Sequence, residues 1–133
     1  MFGFGKKKNK EPKKVENEEV ELTPERKEEL LLTISSKKEQ INNVSTEEEK
    51  AQIFEEIGLA FNELGEEDNA IDSLEKSIQT KKSLGNGYKT LLKLYNKKRA
   101  KAAKENDGKA IQLYLMKMDQ MMQVSKDVTR GVK

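Results

Sequence analysis

Residues 51–84 have the sequence AQIFEEIGLAFNELGEEDNAIDSLEKSIQTKKSL. Apolar side chains recur at helical spacing on both sides of Gly65. They are Phe54, Ile57, Phe61 and Leu64 before the turn, and Ala70, Ile71, Leu74 and Ile78 after it. Gly65 can take the positive φ that ends a helix, and Asp68 or a neighbouring carboxylate suits the positive start of the next one. Because neither helix can bury its stripe alone, the stretch predicts a helical hairpin.

This hairpin resembles a tetratricopeptide repeat, the 34-residue helix-turn-helix unit of α-solenoids. Counted from Ala51, the large and small positions of that family are matched by Phe54, Ile57, Gly58, Phe61, Gly65 and Ala70. Small residues at Gly58 and Ala70 would let the two helices approach closely. Two positions depart from the family pattern, because Ser77 replaces the usual Ala and Lys82 replaces a frequent Pro.

A second, imperfect copy of the repeat begins at Gly85. Its apolar positions are Tyr88, Leu91, Leu92 and Tyr95, followed by Ala110, Ile111, Tyr114, Leu115 and Met118. Leu92 stands where the family has a small residue, which predicts a wider helix crossing. The interval from Tyr95 to Ala110 is six residues longer than that from Phe61 to Ala70. The inserted segment is rich in good helix formers, so it predicts a longer helix and not a loop.

The segment before the hairpins predicts one further helix. Thr23 suits the N-cap, Pro24 suits the first helical position, and Leu30, Leu31, Ile34 and Ile41 form an apolar face. This helix is interpreted as a cap on the first repeat, or alternatively as the second helix of a degenerate preceding repeat. The expected fold is all-α, a short α-solenoid of hairpins resembling tetratricopeptide repeats, with helices over 24–42, 46–64, 67–83, 87–106 and 108–128. Residues 22–128 are expected to form one helical domain, and 129–133 a loose C-terminus.

The composition excludes several chemistries. The chain lacks Cys and His, which removes disulfides, thiolate metal sites and the commonest acid/base group. Charged residues make up 38% and apolar residues 34%, so the core must be thin. We therefore expect a cytoplasmic non-enzyme with no catalytic residue, cofactor or metal. Charge is segregated, with an acidic block at 45–79 and a basic block at 81–109. This pattern favours contact between unlike regions of the chain, or between unlike faces of two copies.

The N-terminal residues 1–21 have no period that would bury a face, and their composition predicts disorder. Two aromatic residues precede a cluster of lysines there, namely Phe2 and Phe4, then Lys6, Lys7, Lys8 and Lys10. A solvated tail is the simpler interpretation. The alternative is weak peripheral contact with anionic lipid at the inner face of a membrane.

Members of the tetratricopeptide repeat family mostly bind peptide segments on the concave face formed by the first helix of each repeat. The resemblance therefore implies partner-binding residues at Gln52, Glu55, Leu59, Asn62, Glu63, Asn86, Lys89, Lys93, Asn96 and Lys97. One family subset grips a C-terminal carboxylate with Lys and Asn near the positions that Glu55 and Leu59 occupy here. Because Glu and Leu are the wrong residues for that role, carboxylate capture of this kind is not expected. Lysines 89, 93, 97, 101 and 104 form a stripe, interpreted as a solvated face or as a surface that captures an acidic segment.

These patterns predict a protein–protein interaction adaptor that binds a peptide or protein segment. Nucleic-acid binding by the Lys-rich helix at 88–104 is an alternative, disfavoured because the adjacent acidic surface would repel phosphate. A self-associating structural protein is the other alternative. Its homodimer seam would lie on the last helix, whose methionines are Met116, Met118, Met121 and Met122. Those methionines can equally be core residues.

Overall fold

The computed structural model describes residues 21–131. These residues form five α-helices: α1 Pro24–Gln40, α2 Glu47–Glu63, α3 Glu67–Thr80, α4 Asn86–Lys104 and α5 Gly108–Arg130. A short 3-10 helix, Ile41–Asn43, follows α1. No strand occurs within this range, so the all-α prediction is confirmed. Residues 1–20 of the tail predicted at 1–21, and the last two residues of the chain, lie outside the described residues.

The helix ends follow from local chemistry. The side chains of Thr23, Thr46 and Asp107 each accept a hydrogen bond, at 3.1 Å, from the backbone N–H three residues further on. Each therefore satisfies one of the N–H groups that the first turn of a helix leaves unpaired. Gly65 has a φ of 82°, as predicted for the residue that reverses the chain between α2 and α3. Asn106 adopts a φ of 57° in the equivalent turn before α5.

The predicted lengthening of the second hairpin is confirmed. Helix α4 continues to Lys104, so the six additional residues extend the helix and the turn that follows remains short. Helix α5 ends at Arg130, two residues beyond its predicted end, and Gly131 closes it with a φ of 78°.

Helices α2 and α3 pack closely because the facing positions are small. A Cβ atom on Gly58 would lie 2.6 Å from Cγ of Leu74, which is fully buried, as is Ala70. The hydroxyl of Ser77, buried in the same contact, donates a hydrogen bond to the carbonyl oxygen of Ala51 at 2.7 Å. Ser77 is thus small enough for this position, and it adds a hydrogen bond between the two helices.

The helices pack in chain order, each on the next, and α2 also contacts α4. One apolar cluster joins α1 to α2 through Leu30, Ile34, Ile53, Ile57 and Ala60. A second joins α3, α4 and α5 through Ala70, Leu74, Ile78, Leu91, Leu94, Tyr95 and Met121. The half-buried Phe61 packs against both clusters, so it links the first hairpin to the rest of the core.

Two apolar residues do not lie where the sequence pattern predicts. Leu31 is 54% exposed on α1, because only Leu30 and Ile34 of that helix face α2 deeply enough to be buried. Leu115 is 51% exposed on α5. The stripe of α5 that packs on the core instead consists of the buried Met121 and the half-buried Tyr114, Met118 and Val124. These residues return at intervals of three and four to the face that meets α3 and α4.

Candidate functional site

A groove of about 560 Å³ lies where the end of α2 approaches α4 and the start of α1. We call it the α2–α4 groove. Its lining residues are Glu21, Leu22, Lys27, Asn62, Glu63, Leu64, Gly65, Glu67, Thr90, Lys93, Leu94 and Lys97. The groove therefore brings together four of the predicted partner-binding residues, namely Asn62, Glu63, Lys93 and Lys97.

Two of the three acidic side chains that line this groove, Glu63 and Glu67, have cationic partners within the fold, whereas Glu21 has none among residues 21–131. The Glu63 carboxylate accepts hydrogen bonds from Nε and Nη2 of Arg26 at 2.7 and 2.8 Å. This contact lowers the pKa of Glu63 and raises the pKa of Arg26. Glu67 forms an ion pair with Lys97. These carboxylates are thus already compensated.

The ion pairs of α3 with α4 extend beyond the groove. Lys98 contacts Asp68 at 2.8 Å, and this hydrogen bond lowers the pKa of Asp68 and raises that of Lys98. Together with the Lys97–Glu67 pair, it places the basic block against the acidic block, as the charge pattern predicted.

Two lysines of the groove carry charge without an ionic partner among residues 21–131. Lys27 belongs to α1 and Lys93 to α4, and no described carboxylate lies within ion-pair distance of either Nζ atom. Leu64 and Leu94 add apolar surface to the lining. Cations on two different helices beside apolar surface suit an extended segment that carries carboxylates.

Glu55 was predicted to face a partner, but the structure places it in a contact between helices. Its Oε2 atom accepts a hydrogen bond from the backbone N–H of Gly87 at 2.6 Å. Asn86 belongs to the first turn of α4, and no side chain of α4 caps that helix. The cap comes from α2 instead. Sequence spacing cannot reveal this contact, because the two residues are 32 positions apart.

The remaining predicted residues lie outside the groove lining. Leu59 packs against the core that joins α3, α4 and α5. Gln52 donates a hydrogen bond to Glu56 at 3.2 Å, and Asn96 accepts two from Arg99 at 3.0 and 3.2 Å. Lys89 is exposed on α4, two helical turns before Lys97.

A polar cluster that the sequence analysis missed lies between α3, α4 and α5. Oε2 of Glu75 accepts hydrogen bonds from the Tyr95 hydroxyl at 2.5 Å and from Nζ of Lys117 at 2.9 Å. Burial, followed by the bond to Glu75, raises the pKa of Tyr95 well above its ordinary value. The only sequence signal is that a tyrosine in an apolar stripe needs a partner for its hydroxyl.

A narrow cleft of about 210 Å³ lies between α1 and α3, over α2. Phe54 and Phe61 lie in it, and lysines approach their ring centroids, Lys76 at 6.0 Å and Lys38 at 5.5 Å respectively. Such cation–π contacts hold the lysine side chains over the rings. These lysines therefore cover part of the aromatic surface of the cleft.

Comparison with protein-family models, with curated proteins and with solved structures finds no match to this chain. Across residues 21–131, no helix has the length and apolar character needed to cross a bilayer. The same range holds no cluster of three acidic side chains arranged to bind a metal ion. The lipid-contact residues proposed from sequence, Phe2, Phe4, Lys6, Lys7 and Lys8, lie outside this range.

Proposed function

We propose that this chain is a non-catalytic interaction module, related to tetratricopeptide repeats, that binds an acidic peptide segment in the α2–α4 groove. The observation that carries the proposal is the placement of Lys27 and Lys93 in one groove, without described ionic partners and beside Leu64 and Leu94. Of the three groove carboxylates, Glu63 and Glu67 are neutralised by Arg26 and Lys97, so only Glu21 opposes an acidic ligand.

The resemblance to tetratricopeptide repeats supports the same proposal. Close packing of α2 on α3 at Gly58 and Leu74 is what the small position of the family motif requires. Two hairpins that pack in chain order, with α2 in contact with α4, would let the first helices of both hairpins line one groove. The cytoplasmic location and adaptor role remain part of this proposal.

Titration of a fluorescently labelled Glu-rich peptide with the full chain tests the proposal. Lys93→Gln should weaken binding about two- to fivefold, the range expected for one exposed charge contact. Lys104→Gln is the matched control, since it removes the same charge from an exposed position of α4 outside the groove. Equal weakening by both variants would show diffuse attraction to the basic helix and would contradict a groove site.

Nucleic acid is the competing ligand for the Lys-rich helix. Lys97 and Lys98 are engaged by Glu67 and Asp68, which leaves less uncompensated charge for phosphate contacts. A single-stranded polynucleotide that displaced the acidic peptide, with steep salt dependence, would favour this alternative.

Self-association is a second candidate function, favoured by the surface of α5. Four large apolar side chains of this helix are 41–58% exposed, namely Leu113, Leu115, Met116 and Met122. Sedimentation equilibrium measures the solution mass of the full chain. A dimer that dissociates on Met122→Glu substitution would support this candidate, and a monomer at all concentrations would remove it.

A further inference from the structure

Helices α1 and α5 are the first and the last in the packing order of the fold, and both expose large apolar side chains. Helix α1 packs on α2, and α5 packs on α4. Leu31 and Leu32 of α1 and Leu115 and Met122 of α5 are each more than half exposed. The end units of helical repeat arrays ordinarily carry polar outer surfaces, which keep the array soluble. The two apolar end surfaces of this chain are therefore candidates for contacts between molecules.

The outer face of α1 is a stripe of exposed residues that combines leucines with carboxylates. Its members recur at spacings of three and four residues, and they are Glu28, Leu31, Leu32, Ser35 and Glu39. Neither Glu28 nor Glu39 has an ion-pair partner among residues 21–131. This face is therefore apolar at its centre and acidic at both ends.

The cations of α1 are directed away from its outer face. Arg26 and Lys37 each form an ion pair with a carboxylate of α2, at 2.7 and 2.8 Å respectively. Nζ of Lys38 lies 5.5 Å from the centroid of a phenylalanine ring of α2. Lys27 lines the α2–α4 groove. The negative charge of the outer face is thus not balanced by the lysines and the arginine of the same helix.

The outer face of α5 has the opposite charge. Its exposed members also recur at spacings of three and four residues, and they are Gln112, Leu115, Asp119, Met122 and Lys126. Lys109 and Arg130 lie within about one helical turn of its two ends. Three cations therefore stand against the single carboxylate of Asp119, and none of these four groups has an ion-pair partner among residues 21–131. The remaining charges of α5 are paired within the fold, Lys117 with Glu75 and Asp127 with Lys82.

We infer that copies of this chain associate head to tail, with the outer face of α1 of one copy docked on the outer face of α5 of the next. The inference deepens the candidate function of self-association, on which it rests. The leucines of α1 meet Leu115 and Met122, and the glutamates at both ends of the α1 face meet uncompensated cations. An α5–α5 contact would instead bring together two faces that both carry net positive charge, which is unfavourable.

The two faces belong to different surfaces of the chain, so the contact is heterologous. Each added copy leaves one outer face of α1 and one outer face of α5 open at the ends of the assembly, unless the copies close into a ring. Few side chains meet at each contact, so association should require a high protein concentration. It should also weaken as added salt screens the charges.

Complementation between two blocked variants of the full chain tests the inference. Leu32→Glu places a charge on the outer face of α1, and Leu115→Glu places one on the outer face of α5. Each should lower the association constant at least about tenfold, because docking would bury the new charge beside apolar groups. In an equimolar mixture, the intact α5 face of the first variant can still meet the intact α1 face of the second. Sedimentation velocity should therefore show monomers for each variant alone and a 1:1 dimer for the mixture.

Leu113→Glu is the matched control for Leu115→Glu. Leu113 is the same residue type on the same helix and is also exposed. Two residues of a helix are separated by about 200° around its axis, so Leu113 lies off the outer face. The control should associate as the parent does, and far-UV circular dichroism should show unchanged helix content in all three variants. A control as monomeric as Leu115→Glu would overturn the inference, because any charge added to α5 would then have the same effect.

The outcomes separate the inference from the functions proposed above. If the parent is a monomer at every concentration, self-association and the inference both fail, while peptide titration still decides whether the α2–α4 groove binds acidic segments. If the parent associates, only Leu115→Glu is monomeric and the mixture gains no dimer, two copies meet through α5 alone. Self-association then stands and the head-to-tail inference is overturned.

Discussion

The carboxylate of Glu55 on α2 accepts a hydrogen bond from the backbone N–H of Gly87 in the first turn of α4, with 2.6 Å between Oε2 and N. First-turn N–H groups have no partner in their own helix, and a negative charge there also meets the positive end of the helix dipole. A Cβ atom on Gly87 would lie 2.8 Å from Oε2 and from Cγ of Glu55, so a glycine permits this approach. The first hairpin thus caps the second.

Replacing Glu55 with alanine should destabilise the protein by about 1–2 kcal/mol, the usual cost of a lost N-cap with a charged acceptor. Glu55→Gln retains an acceptor oxygen and should cost less. The measurement is the free energy of unfolding from urea titration followed by circular dichroism. Glu28→Gln, on the exposed face of α1, should change stability by less than about 0.5 kcal/mol. A Glu55→Ala variant as stable as this control would return Glu55 to the predicted peptide-binding set.

Gly58→Ala should destabilise the protein by about 1–3 kcal/mol, because the added methyl group overpacks the contact with Leu74. Cγ of Leu74 would lie 2.6 Å and its backbone nitrogen 3.2 Å from the new Cβ, and Leu74 is fully buried. The gain in helix propensity of about 1 kcal/mol only partly offsets this clash.

Gly108→Ala is the matched substitution. Position 108 begins α5 and has no atom within 4 Å of a Cβ. Ala there should stabilise the fold by about 0.4–1 kcal/mol by restricting the unfolded chain. Thermal unfolding of both variants measures the contrast, and a Gly58→Ala variant more stable than the parent would show that α2 and α3 are not in close contact.

Tyr95→Phe should cost about 0.5–1.5 kcal/mol near neutral pH, since it removes the hydrogen bond to Glu75. Tyr114→Phe is the control, because its hydroxyl has no hydrogen bond to a described residue. The raised pKa of Tyr95 means that its stabilising effect is complete below the ordinary value of 10.0 and is lost as the pH rises towards the folded value.

Urea titrations of the parent and of Tyr95→Phe at about pH 8 and about pH 11 therefore test this pH dependence. The stability difference between the parent and Tyr95→Phe should shrink at the higher pH. The deprotonation of lysines is common to both proteins and cancels in this comparison. A difference that stayed constant across this range would argue against the Tyr95–Glu75 contact.

Glu63→Gln should lower the free energy of unfolding, because it removes the ion pair that joins α1 to α2. The loss should be seen only at pH values at which Glu63 is ionised. The hydrogen bonds from Arg26 lower the pKa of Glu63 below its ordinary value of 4.5. The contribution of Glu63 is therefore present above that value and is lost as the pH falls through the lower, folded pKa. Both side chains are more than 40% exposed, so the effect is small and sensitive to salt.

Urea midpoints of the parent and of Glu63→Gln should differ at about pH 7, and the difference should shrink as the pH falls below the ordinary carboxyl pKa of 4.5. Glu28→Gln, which removes a carboxylate without an ion pair in the described residues, should show no such convergence. Equal effects of the two substitutions at both pH values would indicate that the Arg26–Glu63 pair does not stabilise the protein in solution.

Much of the fold follows from local patterns in the sequence. The stripes around Phe54 and Leu74 predict the central hairpin, and capping residues such as Thr23, Thr46 and Gly65 mark helix ends. The extension of α4 follows from helix propensity alone. The residues responsible are neighbours along the chain, and helix periodicity and capping act over a few positions.

The candidate site follows only in part. Four residues of the predicted partner-binding set, Asn62, Glu63, Lys93 and Lys97, line the α2–α4 groove. Glu55 and Leu59 occupy the same predicted set but serve the fold, one as a cap for α4 and the other in the core. Position in a repeat shows which helix face a side chain occupies, but not which backbone group or apolar cluster lies opposite.

The chain sequence therefore specifies five helices, their limits to within about three residues, the close α2–α3 contact and the division of charge between the two blocks. The relations between helices distant in sequence come from packing in three dimensions. Among them are the Glu55 cap on α4, the Tyr95–Glu75–Lys117 cluster and the partnering of Glu63 by Arg26. The physical reason is that helix formation depends on contacts within one or two turns, whereas these polar contacts depend on the distance and angle at which whole helices cross.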